Sequence, residues 1–180
     1  MLSKITLYHY NADECIFSDN VSLKECAAYE NEKHVNWINI LGISDPAVLK
    51  EAADIFKIHP LVVEDIGNNI QRAKVEEYDD MLYVVLRMFH LKGNTIEDQQ
   101  VSIVVRNNTI VTFREFDAGI FQKSIGDKLK AGTSSLRKHG EDYLLYSILD
   151  AIIDNYYIVL AHISEKIEAL ERDVMKTMSW

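Results

Sequence analysis

Hydrophobic positions change their spacing along this chain, and the changes mark its elements. From Met81 to Phe89 apolar residues run almost without interruption, and the same holds from Val101 to Val105 and from Ile110 to Phe113. Runs of this length between polar segments predict strands buried on both faces. Asn107-Asn108 separates the last two runs and suits a two-residue turn at positive φ, so the three form an antiparallel meander. Continuous rather than alternating hydrophobicity implies helices on both sides of the sheet.

Upstream, Lys4 to Tyr10 and Cys15 to Phe17 read as short strands, and Ser22 as the cap of a helix through Leu23, Cys26 and Ala27. His34 to Ile40 predicts a buried strand closed by Gly42. Ser44-Asp45-Pro46 is a helix start, with capping side chains followed by proline in the first turn, and it puts Val48, Leu49, Ala52, Ile55 and Phe56 on one face. His59-Pro60 breaks that helix, because the residue before proline is pushed out of the α region. A second short helix then runs through Leu61 to Ile66 and ends at Gly67-Asn68-Asn69. A helix around Ala118 to Leu129 is followed by a polar connector to Gly140.

From Glu141 onward Leu145, Ile148, Ile152, Tyr156, Leu160, Ile163, Ile167, Leu170 and Val174 step by three or four, the seam of one long amphipathic helix. The seam is still running, uncapped, at Met178-Ser179-Trp180, which predicts that the natural chain continues. The expected fold class is α/β: a mixed, largely antiparallel sheet between two helical layers, followed by a long C-terminal helix. Residues 1–140 are expected to form the α/β unit and residues 141–180 the start of a long helical region.

Composition narrows the function. The chain has 180 residues, of which 48% are hydrophobic and two are prolines, enough for one ordered domain with a sizeable core. Nineteen Lys and Arg against 28 Asp and Glu leave a net charge of −9, which argues against a nucleic-acid partner and for cations. Cys15 and Cys26 show neither a disulfide framework nor a Cys-x-x-Cys spacing and read as small hydrophobes. No secretory signal is read, and no stretch reaches the roughly 18 to 20 uninterrupted apolar residues that a bilayer needs.

Carboxylates carry the candidate chemistry. Glu64 and Asp65 are adjacent on the short helix, so their side chains diverge by about 100° and suit two neighbouring sites better than one. Mg2+ keeps several of its waters and takes only one or two carboxylates, so single carboxylates are what a weak site would use. The bland alternative is a helix-dipole preference worth about 0.3–1 kcal/mol with no metal involved. Asp150 and Asp154 lie four apart on one helix face, where a cation would relieve their repulsion. The densest acidic run, Glu76, Glu77, Asp79 and Asp80, reads as a solvated sheet edge. Six histidines without a His-x-x-x-His spacing argue against a tight zinc site, and His59 is expected to act with Pro60 at the helix break. Tyr143, Tyr146, Tyr156 and Tyr157 read as core. No phosphate loop, nucleophile elbow or Cys/His dyad is present in the sequence.

The wording of three stretches is more specific than these patterns. Ile58-His59-Pro60-Leu61-Val62-Val63-Glu64-Asp65-Ile66, followed by Gln71-Arg72-Ala73-Lys74 and the Met81 strand, resembles the soluble domain of the CorA family of magnesium and cobalt transporters. Trp37-Ile38-Asn39-Ile40 upstream and Asp142-Tyr143-Leu144-Leu145-Tyr146-Ser147-Ile148-Leu149-Asp150-Ala151 downstream resemble further signatures of that family in the same order. Ala73 departs from the family's usual proline. The resemblance implies a cytoplasmic regulatory domain on the inner membrane of the cell, assembled from identical subunits as a homopentamer. It also implies weak regulatory Mg2+, with Co2+ as an alternative ion, at subunit boundaries, where Glu64, Asp65 and Asp150 are the metal ligands this chain would supply. Membrane contact would come only through helices beyond Trp180, as would the pore signature. Three other readings stay open: a soluble metal-dependent hydrolase using Glu64 with the Glu76 to Asp80 run, a free-standing adaptor that pairs through its C-terminal helix, and a zinc-carrying relative within the family.

Overall fold

The computed structural model describes residues 3–29, 33–78, 80–132 and 135–178. Seven strands form one sheet: β1 (Lys4–Tyr10), β2 (Cys15–Asp19), β3 (Val35–Leu41), β4 (Lys74–Tyr78), β5 (Met81–Lys92), β6 (Thr95–Arg106) and β7 (Thr109–Arg114). Their order is β2-β1-β3-β7-β6-β5-β4. The expected meander is β5-β6-β7, and the turn at Asn107-Asn108 places Asn107 at φ 48° with Arg106 opposite Thr109. Both long strands outrun their apolar cores. A second two-residue turn at Gly93-Asn94 sets Lys92 opposite Thr95, with Gly93 at φ 62°. The polar ends are held by charge, as where Arg87 Nε donates to Asp98 at 2.9 Å.

Among the described residues five α-helices cover the sheet: α1 (Leu23–Ala27), α2 (Pro46–Phe56), α3 (Pro60–Gly67), α4 (Asp127–Ala131) and α5 (Glu141–Met178), with a π-helical turn over Gln122–Gly126 and a 3-10 turn over Ser135–Lys138. The starts are chemically marked. Ser22 and Glu25 form a reciprocal capping box, and Asp45 accepts from the Ala47 N–H at 2.9 Å with Pro46 in the first turn. His59 caps α3, its Nδ1 accepting from the Leu61 N–H at 3.3 Å while its ring stacks on Tyr78.

Alternation along each strand splits the core in two. Tyr83, Val85, Val104 and Phe113 face α1, α2 and α3, whereas Val84, Met88, Val101 and Ile103 face α4 and α5. This is the two-layer covering that continuous hydrophobicity predicts. Leu144, Ile148 and Ile152 of α5 are fully buried against the sheet. Asn155 Nδ2 and Tyr156 OH donate to the backbone oxygens of Phe89 and Arg87, clamping α5 to β5. Val159 is the last buried residue of the helix, and the seam beyond it, Leu160, Ile163, Ile167, Leu170 and Val174, is exposed. By length and composition α5 would pass for a membrane span, and a third of its most apolar stretch is buried against the sheet.

The helix expected from Ala118 to Leu129 is distorted into the π-helical turn where it crosses β1. Tyr8 OH donates there to Gln122 Oε1 at 2.6 Å, and a Cβ at buried Gly126 would collide with that hydroxyl. Gly126→Ala is therefore expected to cost about 1–2 kcal/mol through overpacking, measured as a lower urea midpoint. A variant as stable as the parent would show that Tyr8 moves aside freely.

Candidate functional site

The short helix α3 is anchored by Val62 and Ile66, both buried, and this orientation decides what its carboxylates meet. Glu64 points into solvent, and Asp65 is half-buried against the sheet edge. Asp65 Oδ2 accepts from Lys74 Nζ at 2.5 Å and Oδ1 from Gln71 Nε2 at 2.9 Å. The same ammonium reaches Glu76 Oε1 at 2.9 Å, and Tyr78 OH donates to Glu76 Oε2 at 3.2 Å. Gln100 Nε2 donates to the Asp65 backbone oxygen at 3.0 Å, and its Oε1 accepts from the Gln71 N–H at 3.2 Å. Hydrogen bonds to Asp65 and then Glu76 hold the Lys74 ammonium well above the usual lysine range, so it is charged at any physiological pH. In the single chain a lysine thus already occupies the position beside Asp65 that a cation would take.

β4 is the element that builds this arrangement, and it is absent from the sequence reading. Lys74, Glu76 and Tyr78 alternate on one face of an edge strand while Val75 and Glu77 face solvent. The reading of the acidic run as a solvated edge fits this placement. Asp79 lies outside the described residues. Arg106 Nε donates to Asp80 at 2.9 Å, which also ties that carboxylate down.

Asp150 stands elsewhere. It is exposed on α5, on the opposite side of the sheet from α3, and shares with Asp154 a shallow cavity that Lys128 also lines. Glu64 and Asp65 therefore cannot combine with Asp150 within one chain. Among the described residues, no three His, Cys, Asp or Glu side chains come together as a metal cluster. Cys26 is buried, and burial pushes its thiol up to about 11, while Cys15 is half-buried; neither is paired in a disulfide.

The family model described as CorA-like Mg2+ transporter protein matches residues 32–179. This chain belongs to the CorA-like family. It is 32% identical over 175 residues to the cobalt/magnesium transport protein CorA of Thermotoga maritima, a match covering 96% of this chain and 50% of that protein. Members of the CorA-like family are transporters rather than enzymes. The fold is that of the soluble domain of CorA from Methanocaldococcus jannaschii, with a TM-score of 0.71 at 19% identity over 98% of this chain and 67% of that one. The cytoplasmic domain of ZntB from Vibrio parahaemolyticus is also similar in fold, with a TM-score of 0.66 at 12% identity over 92% of this chain and 64% of that one. The chain spans about half the length of that Thermotoga maritima protein.

Of the carboxylates expected from the CorA resemblance, Glu64 is free in solvent, Asp65 is ion-paired and Asp150 sits on the far layer. The residue that sequence reasoning missed is Lys74. Its signal was the alternation Lys74-x-Glu76-x-Tyr78, hidden because a charged five-residue segment with one valine does not read as a strand.

Proposed function

We propose that this chain is the cytoplasmic regulatory domain of a CorA-like divalent-cation transporter, sensing Mg2+, with Co2+ as an alternative ion, at boundaries between identical subunits. Residues 1–140 serve as the sensor, and residues 141–180 lead toward a membrane part on the cytoplasmic side of the inner membrane. Family membership supports the transport reading. The observation that carries the subunit-boundary reading is the separation of Glu64 and Asp65 from Asp150 by the full thickness of the sheet. Ligands that one chain cannot bring together can meet when an α3 edge faces the α5 side of a neighbour, as in a ring such as a homopentamer.

The chemistry then follows from charge. Facing carboxylates repel by about 1–4 kcal/mol at 4 Å, depending on whether water or protein screens them. A hydrated Mg2+ removes that repulsion and holds the boundary shut, and its loss releases it, a population shift driven by differential affinity. Lys74 competes for Asp65, which keeps the site weak and matched to an abundant ion.

In a bacterial strain lacking its own Mg2+ uptake, the whole gene carrying Asp65→Asn with Asp150→Asn should keep importing Mg2+ after the cells are replete. Replete-cell uptake about fivefold or more above the parent is expected from an ordinary allosteric coupling. Normal shut-off in that double variant would remove these carboxylates from sensing.

A further inference from the structure

On the α4 side of the sheet, over β1, β2 and β3 beside the end of β7, lies a cavity of about 320 Å³. Two residues that line it carry a buried donor without an acceptor. Arg114 is 3% exposed and Trp37 1%, and neither Arg114 Nε nor Trp37 Nε1 has a hydrogen-bond partner among the described residues. A buried N–H without an acceptor is costly and rare, and two beside one cavity indicate that an acceptor belongs there.

The charges around the cavity say what kind. Lys4 is neutralised by Asp19 at 3.0 Å. Among the described residues Lys130 has no carboxylate within ion-pair distance, and it rests 3.6 Å from the centre of the Phe17 ring. Arg114 lies over the Phe121 ring at 4.4 Å, and its Nη1 reaches Asp117 Oδ1 only at 3.5 Å, an oxygen that already accepts from the Gly119 N–H at 2.9 Å. Lys4, Arg114 and Lys130 thus face Asp19 and Asp117, which leaves one positive charge, that of Lys130, without a carboxylate partner among the described residues.

We propose that this cavity binds a phosphate-class oxyanion, either inorganic phosphate or the phosphate of a small ester, through Arg114, the Trp37 indole N–H and Lys130. A tetrahedral anion offers oxygens in several directions at once, which a guanidinium fork, an indole donor and an ammonium require and which a monatomic anion does not supply. Of the aromatic side chains lining the cavity, the exposed Phe17 is the one that an ester with a flat group could meet. Burial lowers the Arg114 guanidinium to about 10, which leaves it charged at neutral pH and receptive to an anion. No phosphate-loop motif marks the site, because its donors come from β3, β7 and α4, elements far apart in the sequence. The site is independent of the Mg2+ reading, and its ligand would give the domain a second chemical input.

The test is a titration of the 180-residue chain followed by the Trp37 indole resonance, assigned in a Trp180→Phe background. Inorganic phosphate at constant ionic strength should shift that resonance saturably. Arg114→Met should weaken the fitted affinity about tenfold or more, as loss of a charged hydrogen bond does, and Lys130→Met about threefold. Lys130 is exposed, so its variant carries the test even if Arg114→Met fails to fold. Tighter binding of phenyl phosphate than of inorganic phosphate assigns an ester, and equal or weaker binding assigns the free ion. A resonance unmoved by either compound, moved equally by chloride, or fitted with the parent affinity in Lys130→Met overturns the proposal and leaves a water-filled cavity.

Discussion

Ile152→Ala is expected to destabilise the chain by about 2–5 kcal/mol, whereas Leu170→Ala, one of the same helical seam, should stay within about 0.5 kcal/mol. Ile152 is fully buried among β5, β6 and the α4 layer, so truncation leaves a cavity in a packed core. Leu170 is two-thirds exposed on the overhanging half of α5 and loses only solvent contacts. The two positions are indistinguishable by spacing. Urea unfolding of both variants at low protein concentration checks the contrast, and equal losses would mean that the overhang packs against something, as in self-association. If the contrast holds, one half of α5 is clamped to β5 through Asn155 and Tyr156 and the other half stands clear of the body.

Asp65→Lys should lower stability by about 2–3 kcal/mol, because it removes the partner of a half-buried ammonium and puts a like charge in its place. The carboxylate takes both Lys74 and Gln71, and the replacement can accept from neither. The variant therefore does more than imitate the charge of a bound cation. Lys74→Met perturbs the same pair from the other side. Loss of two partly exposed ion pairs should cost about 1 kcal/mol without Mg2+. With Asp65 and Glu76 released, added Mg2+ should restore about 1.4 kcal/mol at ten times its dissociation constant. Thermal unfolding of the three proteins with and without Mg2+ at matched ionic strength reads both effects. A Lys74→Met chain that Mg2+ stabilises no more than the parent would show that these two carboxylates cannot hold the ion within one subunit.

The strands β5, β6 and β7, the caps at Ser22 and Asp45, the break at His59-Pro60 and the long helix from Glu141 were all legible in the chain, because each rests on residues within a few positions of one another. β4 was not. Lys74 to Tyr78 has little intrinsic strand preference and becomes a strand because β5 offers it an open edge. The polar half of β6 was missed for the same reason: Glu97 and Asp98 are held in register by β5 across the Gly93-Asn94 turn. The candidate carboxylates Glu64, Asp65 and Asp150 could be named from motif wording, but nothing local says that Asp65 meets Lys74 nine residues on, or that Asp150 lies behind the sheet.

Period, caps and turn residues act over a single turn or strand, so the amino-acid order alone was enough to settle fold class, the two-sided covering of the sheet and the presence of acidic side chains on short helices. Insertion of β3 parallel to β7, the point where α5 leaves the body and the Arg114 cavity all depend on pairings between segments far apart in the chain, and the lysine at Asp65 depends on the pairing of β4 with β5; there loop closure and mutual burial choose among many locally equivalent arrangements.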